Sequence, residues 1–165
     1  MHVMKKIFIL LNTFFIAIVC SAQVNDSFTD GDFTNNPVWT PDNAGNWIVV
    51  SNQLRSNSAT ASSVFYITTP SAKAVNAQWE FWVNLQFNTS SANFVDVFLI
   101  SDQANLLSST LNGYFVRIGG TSDEISLYKI VNGVSSVIIN GTDGITNSSN
   151  NTVRIKIVRD ADNLW

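Results

Sequence analysis

The sequence predicts an all-β fold, an antiparallel β-sandwich or jelly roll, on three observations. Short runs rich in β-branched and aromatic residues recur at a spacing of roughly 8 to 15 residues. Within these runs apolar and polar residues alternate, and no window of about 11 residues has the spacing of an amphipathic helix. Between the runs stand pairs such as Asn-Gly, Asp-Gly and Gly-Gly, which accept the positive φ of tight turns.

In chain order, the first 22 residues have the layout of a secretory signal. Lys5 and Lys6 make a short basic start, Ile7 to Val19 an apolar run, and Ser21 and Ala22 supply small residues before Gln23. The apolar run is shorter than the roughly 20 residues a membrane-spanning helix needs, and no later stretch approaches that length. The protein is therefore expected to be secreted, to the extracellular space or the cell surface, with no membrane span. A lipid anchor on Cys20 is the rival reading. It requires a small residue just before the cysteine, and Val19 stands there.

Removing residues 1–22 leaves a second segment, 23–165, of single-domain length. The cut takes with it the only cysteine, Cys20, and the only histidine, His2. No disulfide can form within the mature chain, and histidine-ligated zinc and Ser-His-Asp hydrolysis are excluded. Stability must come from packing. With Lys5 and Lys6 gone, seven basic residues stand against twelve acidic ones, a formal charge of −5. Arg154, Lys156 and Arg159 form the densest basic stretch and alternate along a strand-like run, the pattern of a solvated strand face, so nucleic acid is not an expected partner. Charged residues make up only 13% of the chain while asparagine occurs twenty times, so its polar surfaces are mostly not ionic.

The first expected strands are Trp47 to Val50 and Ser63 to Thr68. The clearest runs from Trp79 to Asn88, with Trp79, Phe81, Val83, Leu85 and Phe87 on one face and Glu80, Trp82, Asn84, Gln86 and Asn88 on the other. Further strands follow at Phe94 to Ile100, Tyr114 to Ile118, Glu124 to Val131, Val134 to Ile139 and Thr152 to Val158. Turn pairs stand at Asp30-Gly31, Asn112-Gly113, Gly119-Gly120, Asn132-Gly133, Asn140-Gly141 and Asp143-Gly144, and Asn132-Gly133 should close a two-residue hairpin. Arg159 to Asn163 reads as a turn, after which Leu164 and Trp165 should open another strand. A terminal tryptophan with little to pack against and a sheet lacking its last strand predict a fragment of a longer polypeptide.

Several stretches together carry a resemblance. They are Asp26 to Phe33, Pro37 to Trp39, the strand Trp79 to Val83, Leu111 to Gly120 and Asp123 to Tyr128. They resemble N-terminal modules of large secreted proteins from Bacteroidetes, which look like concanavalin A or laminin-G type jelly rolls. In such proteins lamin-tail or other β-sandwich domains follow, and then a C-terminal sorting tail. The resemblance implies an adhesion or binding module beside neighbouring domains of a longer polypeptide. It covers most of the mature chain and carries no catalytic signature.

The residues suggest a sugar platform. If Asn88 to Asn93 joins two neighbouring antiparallel strands, Asn84 lies opposite Asp96 and Trp82 opposite Phe98. Val83, Leu85 and Phe87 then join Val95, Val97 and Leu99 on the core side. The same alternation sends Tyr114, Val116, Ile118, Ile125 and Leu127 inward, and Phe115, Arg117, Ser126 and Tyr128 outward. The expected glycan face is therefore Trp82, Asn84, Gln86, Asp96, Phe98, Phe115, Arg117 and Tyr128. Rings bury and stack on the apolar faces of sugars while amides and charged groups satisfy the hydroxyls. The alternative is that these aromatics lie under a loop or against a following domain.

The residues bear on two other chemistries. Jelly rolls host glucanases, but the mature chain has only Glu80 and Glu124, and Trp82 and Leu85 stand where partner carboxylates are needed. No catalytic residue is expected, and the protein is not expected to be an enzyme. Asp26, Asp30 and Asp32, with Gly31 between and Asp42 and Asn46 nearby, offer hard oxygen ligands for calcium; turn formation explains them equally well. Two functions stay open: a polysaccharide or surface-glycan binder, and a structural or interaction module of a larger cell-surface protein.

Overall fold

The computed structural model describes residues 24–165, so the expected secretory signal, residues 1–22, lies outside the described residues. Ten strands occur there: β1 (Thr40–Pro41), β2 (Trp47–Val50), β3 (Gln53–Ser56), β4 (Ile67–Thr68), β5 (Ala77–Leu85), β6 (Phe94–Ser101), β7 (Gly113–Gly119), β8 (Glu124–Val131), β9 (Val134–Ile139) and β10 (Asn151–Arg159). All pair antiparallel, and a single 3-10 turn spans Ala44–Asn46. No helix among the described residues is long and apolar enough to cross a membrane.

Two sheets form the sandwich. One is the meander β6-β7-β8-β9; the other pairs β5 with β10, from Leu85 opposite Asn151 to Ala77 opposite Arg159. Because side chains alternate across a pleated strand, each sheet has one apolar face, and the two faces are buried against each other. Leu85, Leu99, Val116, Ile118 and Leu127 form the buried centre. Trp79, Phe81 and Val83 of β5 and Val153, Ile155 and Ile157 of β10 pack onto it from the second sheet. Truncating a residue such as Leu85 to alanine would remove about 2–5 kcal/mol of stability.

Turn chemistry sets the hairpin registers. Asn132 and Gly133 both have positive φ, 46° and 74°, and Val131 pairs with Val134, as expected for the Asn-Gly pair. Ser51 and Asn52 do the same between β2 and β3 with φ of 52° and 59°. That second hairpin was not expected, because Gln53-Leu54-Arg55-Ser56 offers a single apolar residue to the pattern. The run Ser63 to Thr68 shortens to Ile67–Thr68, which pairs with β1.

Three expectations need correction. β5 and β6 are not neighbours in one sheet, so Asn84 does not face Asp96, nor Trp82 Phe98. The connecting loop makes a tight turn of its own between Ser90 and Asn93, and Thr89 is buried where it bonds Asp123 and Thr146, so the chain crosses between the sheets. Alternation alone is satisfied equally by strands lying side by side and by strands facing each other across a core. Phe87 lies past the end of β5 and is exposed. Trp165 does not lack packing partners. The Asp160 N–H donates to the Leu164 carbonyl at 3.0 Å, and the Asp160 carboxylate accepts from the Leu164 N–H at 2.8 Å. That turn folds the chain back, so Trp165 stacks on Trp79 and packs against Tyr114, with ring centroids 5.7 and 4.9 Å away.

Candidate functional site

The expected glycan face divides between the two outer surfaces of the sandwich. Asp96, Phe98, Phe115, Arg117 and Tyr128 lie together on the outer face of the four-stranded sheet, where Asp96 is opposite Arg117, Phe98 opposite Phe115, and Phe115 opposite Tyr128. Trp82 and Asn84 lie on the outer face of β5, and exposed Gln86 follows just beyond that strand.

The first group is not a free surface. Phe115 is only 1% exposed, packed with Leu111 and Ile130 and flanked by Phe98, Leu106 and Tyr128. Leu106 and Leu111 come from the segment 102–112, which folds over the sheet. Polar anchors hold it there. The Asn112 N–H and side-chain amide donate to Asp102 at 2.9 and 2.7 Å, and Gln103 donates to Thr110. The N–H of Gly133 donates to the Leu111 carbonyl at 2.9 Å. These bonds keep the Asp102 carboxyl below its ordinary value, the Asn112 side-chain amide first and the Asn112 N–H second.

Beside this covered cluster, Arg117 grips Asp96 through two bonds of 2.8 and 2.7 Å while its guanidinium lies 4.1 Å from the centre of the Phe94 ring and 5.2 Å from that of Tyr128. The Asp96 bond raises the guanidinium pKa further, so its charge is permanent. An arginine clamped by a carboxylate through Nε and Nη2 and stacked on rings has part of its donor set and its flat faces engaged. The arrangement ties three strands together. The expectation that Phe115 and Arg117 lie outward on β7 is right as to face; the covering segment removes Phe115 from solvent, while the Arg117 side chain keeps 25% of its surface exposed.

Trp82 has the opposite surroundings. Alternation along β5 turns it away from the core, and no segment among the described residues covers it, so it is 47% exposed. Arg154 lies directly opposite on β10, and its Nε and Nη2 both approach Oε1 of Glu80 at 2.8 Å. Asn25 and Asp26 from the start of the described chain close the far side. Together these residues line an open, polar depression of about 520 Å3. Asp26 is fixed there by accepting the Trp39 indole N–H at 2.8 Å and the Phe28 N–H at 2.7 Å. Asn84, next along the same face, keeps a buried side-chain oxygen without a hydrogen-bond partner.

Asn25, Asp26, Glu80 and Arg154 were not expected at this site. Glu80 was placed on the right face, but Arg154 enters only through a pairing between positions 72 residues apart in the chain, which local periodicity does not contain. The alternating run Thr152 to Val158 was the sole signal that a second half-buried strand needed a partner.

The calcium candidates Asp26, Asp30 and Asp32 do not converge. Asp32 accepts the Thr34 and Asn35 N–H groups at 2.6 and 3.0 Å; the Thr34 N–H first and the Asn35 side-chain amide second hold its carboxyl below the ordinary value, and Asp30 accepts weakly from the Asp32 N–H. They are turn acids, each capping the backbone a few residues on. Among the described residues no group of three or more acidic, histidine or cysteine side chains is placed to hold a metal ion.

Compared with protein-family models, curated proteins and solved structures, the chain matches none. Its functional reading therefore rests on the chemistry of its own surfaces.

Proposed function

We propose that the protein is a secreted, non-catalytic carbohydrate-binding module of jelly-roll type, and that its site is the depression around Trp82. The observation that carries this reading is the bare indole of Trp82 beside the preformed Glu80–Arg154 pair. An indole face buries the C–H face of a pyranose, and the neighbouring acceptor and N–H donors serve its hydroxyls. Glu80 and Arg154 neutralise each other, which suits a neutral sugar better than a polyanion. The strand path supports the jelly-roll expectation, since the chain leaves the second sheet after β5, runs the four-stranded meander and returns as β10 beside β5. Hydrolysis has less support. Glu80 and Asp96 lie on opposite outer faces of the sandwich, where two carboxylates cannot flank one glycosidic bond.

A glycan array followed by calorimetry on the best ligand tests the proposal. Trp82→Ala should weaken binding at least tenfold while the thermal transition stays where it was. A folded parent protein that binds nothing across a broad array would favour the structural or interaction module, and sugar release dependent on Glu80 would make the protein an enzyme.

A further inference from the structure

The two sheets of the sandwich are unequal, four strands facing two, and among the described residues β10 is paired on one side only. Beyond it the inner face of β8 and β9 is left as an apolar groove of about 250 Å3. Ile125, Leu127 and Ile139 line one wall, and Ile155, Ile157 and Trp165 the other. Ile139 is aimed at the interior by its pairing with Leu127, yet it remains 48% exposed because no strand of the second sheet reaches over it.

The edge of β10 beside this groove has the geometry of a pairing template. It is nine residues long and its register with β5 runs without a bulge, so neither shortness nor a bulge blunts it. Its outer face carries the charge. Arg154 is engaged by Glu80, whereas Lys156, which borders the groove and stands in register opposite Glu80, makes no ion pair among the described residues.

These charges disfavour a second copy of the chain. Antiparallel self-pairing of β10 about Ile155 sets Arg154 of one copy directly against Lys156 of the other, a like-charge cross-strand pair. A strand bearing acidic residues outward meets Lys156 favourably instead, and its alternate apolar residues fall on Leu127 and Ile139.

We infer that the free edge of β10 is a strand-addition site for an extended segment of a partner protein in which apolar and acidic residues alternate. The main chain of the segment extends the β5–β10 sheet, its apolar side chains fill the groove, and its carboxylates lie beside Lys156. This surface is separate from the Trp82 depression and does not depend on glycan binding.

The test is fluorescence anisotropy of the full chain with a labelled peptide of alternating valine and glutamate, against the same peptide with lysine for glutamate. The acidic peptide should bind saturably and at least tenfold more tightly than the basic one, and Lys156→Glu should reverse the preference. Amide exchange should slow in β10 and stay unchanged in β9. Absence of saturable binding, equal binding of both peptides, or protection at β9 would overturn the inference. So would a dimer that forms through β10 without peptide, seen by sedimentation. The discrimination shown by the parent chain decides the matter even if the variant fails to fold.

Discussion

Phe115 and Trp82 occupy the same kind of position, an outward-facing aromatic on a central stretch of strand, and they end in opposite environments. Phe115 is sealed by a segment that brings Leu106 and Leu111 over it, with Asp102, Gln103 and Asn112 supplying the polar ties. Trp82 has polar neighbours at its margin and, among the described residues, no segment above it. An aromatic on the outer face of a sheet is thus neither core nor site by its position on the strand. What decides is whether a loop with enough apolar residues and enough hydrogen-bonding anchors returns to cover it, since covering a ring without satisfying the loop's own backbone would cost more than it gains.

The largest expected effect is the contrast itself. Phe115→Ala should lower stability by about 3–5 kcal/mol in urea denaturation, and Trp82→Ala should change it by less than about 1 kcal/mol; equal losses would mean that the two faces do not differ as described. Next comes the seat of the covering segment. Gly133 has φ of 74°, and a Cβ there would sit 2.6 Å from the Ser109 carbonyl oxygen, so Gly133→Ala should cost about 1–3 kcal/mol.

A smaller effect follows from Asp102. Its folded-state pKa lies below the ordinary 3.8, so its carboxylate favours the folded segment above that value, and the contribution disappears as pH falls through the lowered one. The protection factor of the Leu111 amide, its exchange corrected for the intrinsic rate, should therefore fall in acid in the parent and lose that fall in Asp102→Asn. The least effect is expected at the open face. Glu80→Gln breaks an ion pair whose arginine side chain is 77% exposed, and the melting curve should register no more than about 1 kcal/mol.

Much of this architecture was legible in the pattern of residues. Alternation put Trp79, Phe81, Val83 and Leu85 on the core side of β5 and Glu80 and Trp82 outside, because successive side chains on a pleated strand must point to opposite faces. Asn132-Gly133 specified its hairpin for an equally local reason, the left-handed φ angles those residues tolerate. The bounds of β2, β8 and β9 agree with the apolar runs.

The candidate site was legible only in its first residue. Trp82 could be placed outside from its neighbours on the strand, but its partners Arg154, Asn25 and Asp26 come from distant parts of the chain. The burial of Phe115 depends on how segment 102–112 folds back, and the separation of Trp82 from Asp96 depends on whether β5 and β6 lie side by side or face to face. The sequence by itself determined the all-β class, the faces of the strands and the tight turns, since each follows from backbone geometry over a few residues. Strand partners, the covered face and the bare one were decided only by the tertiary structure, because they depend on contacts between segments that local periodicity leaves independent.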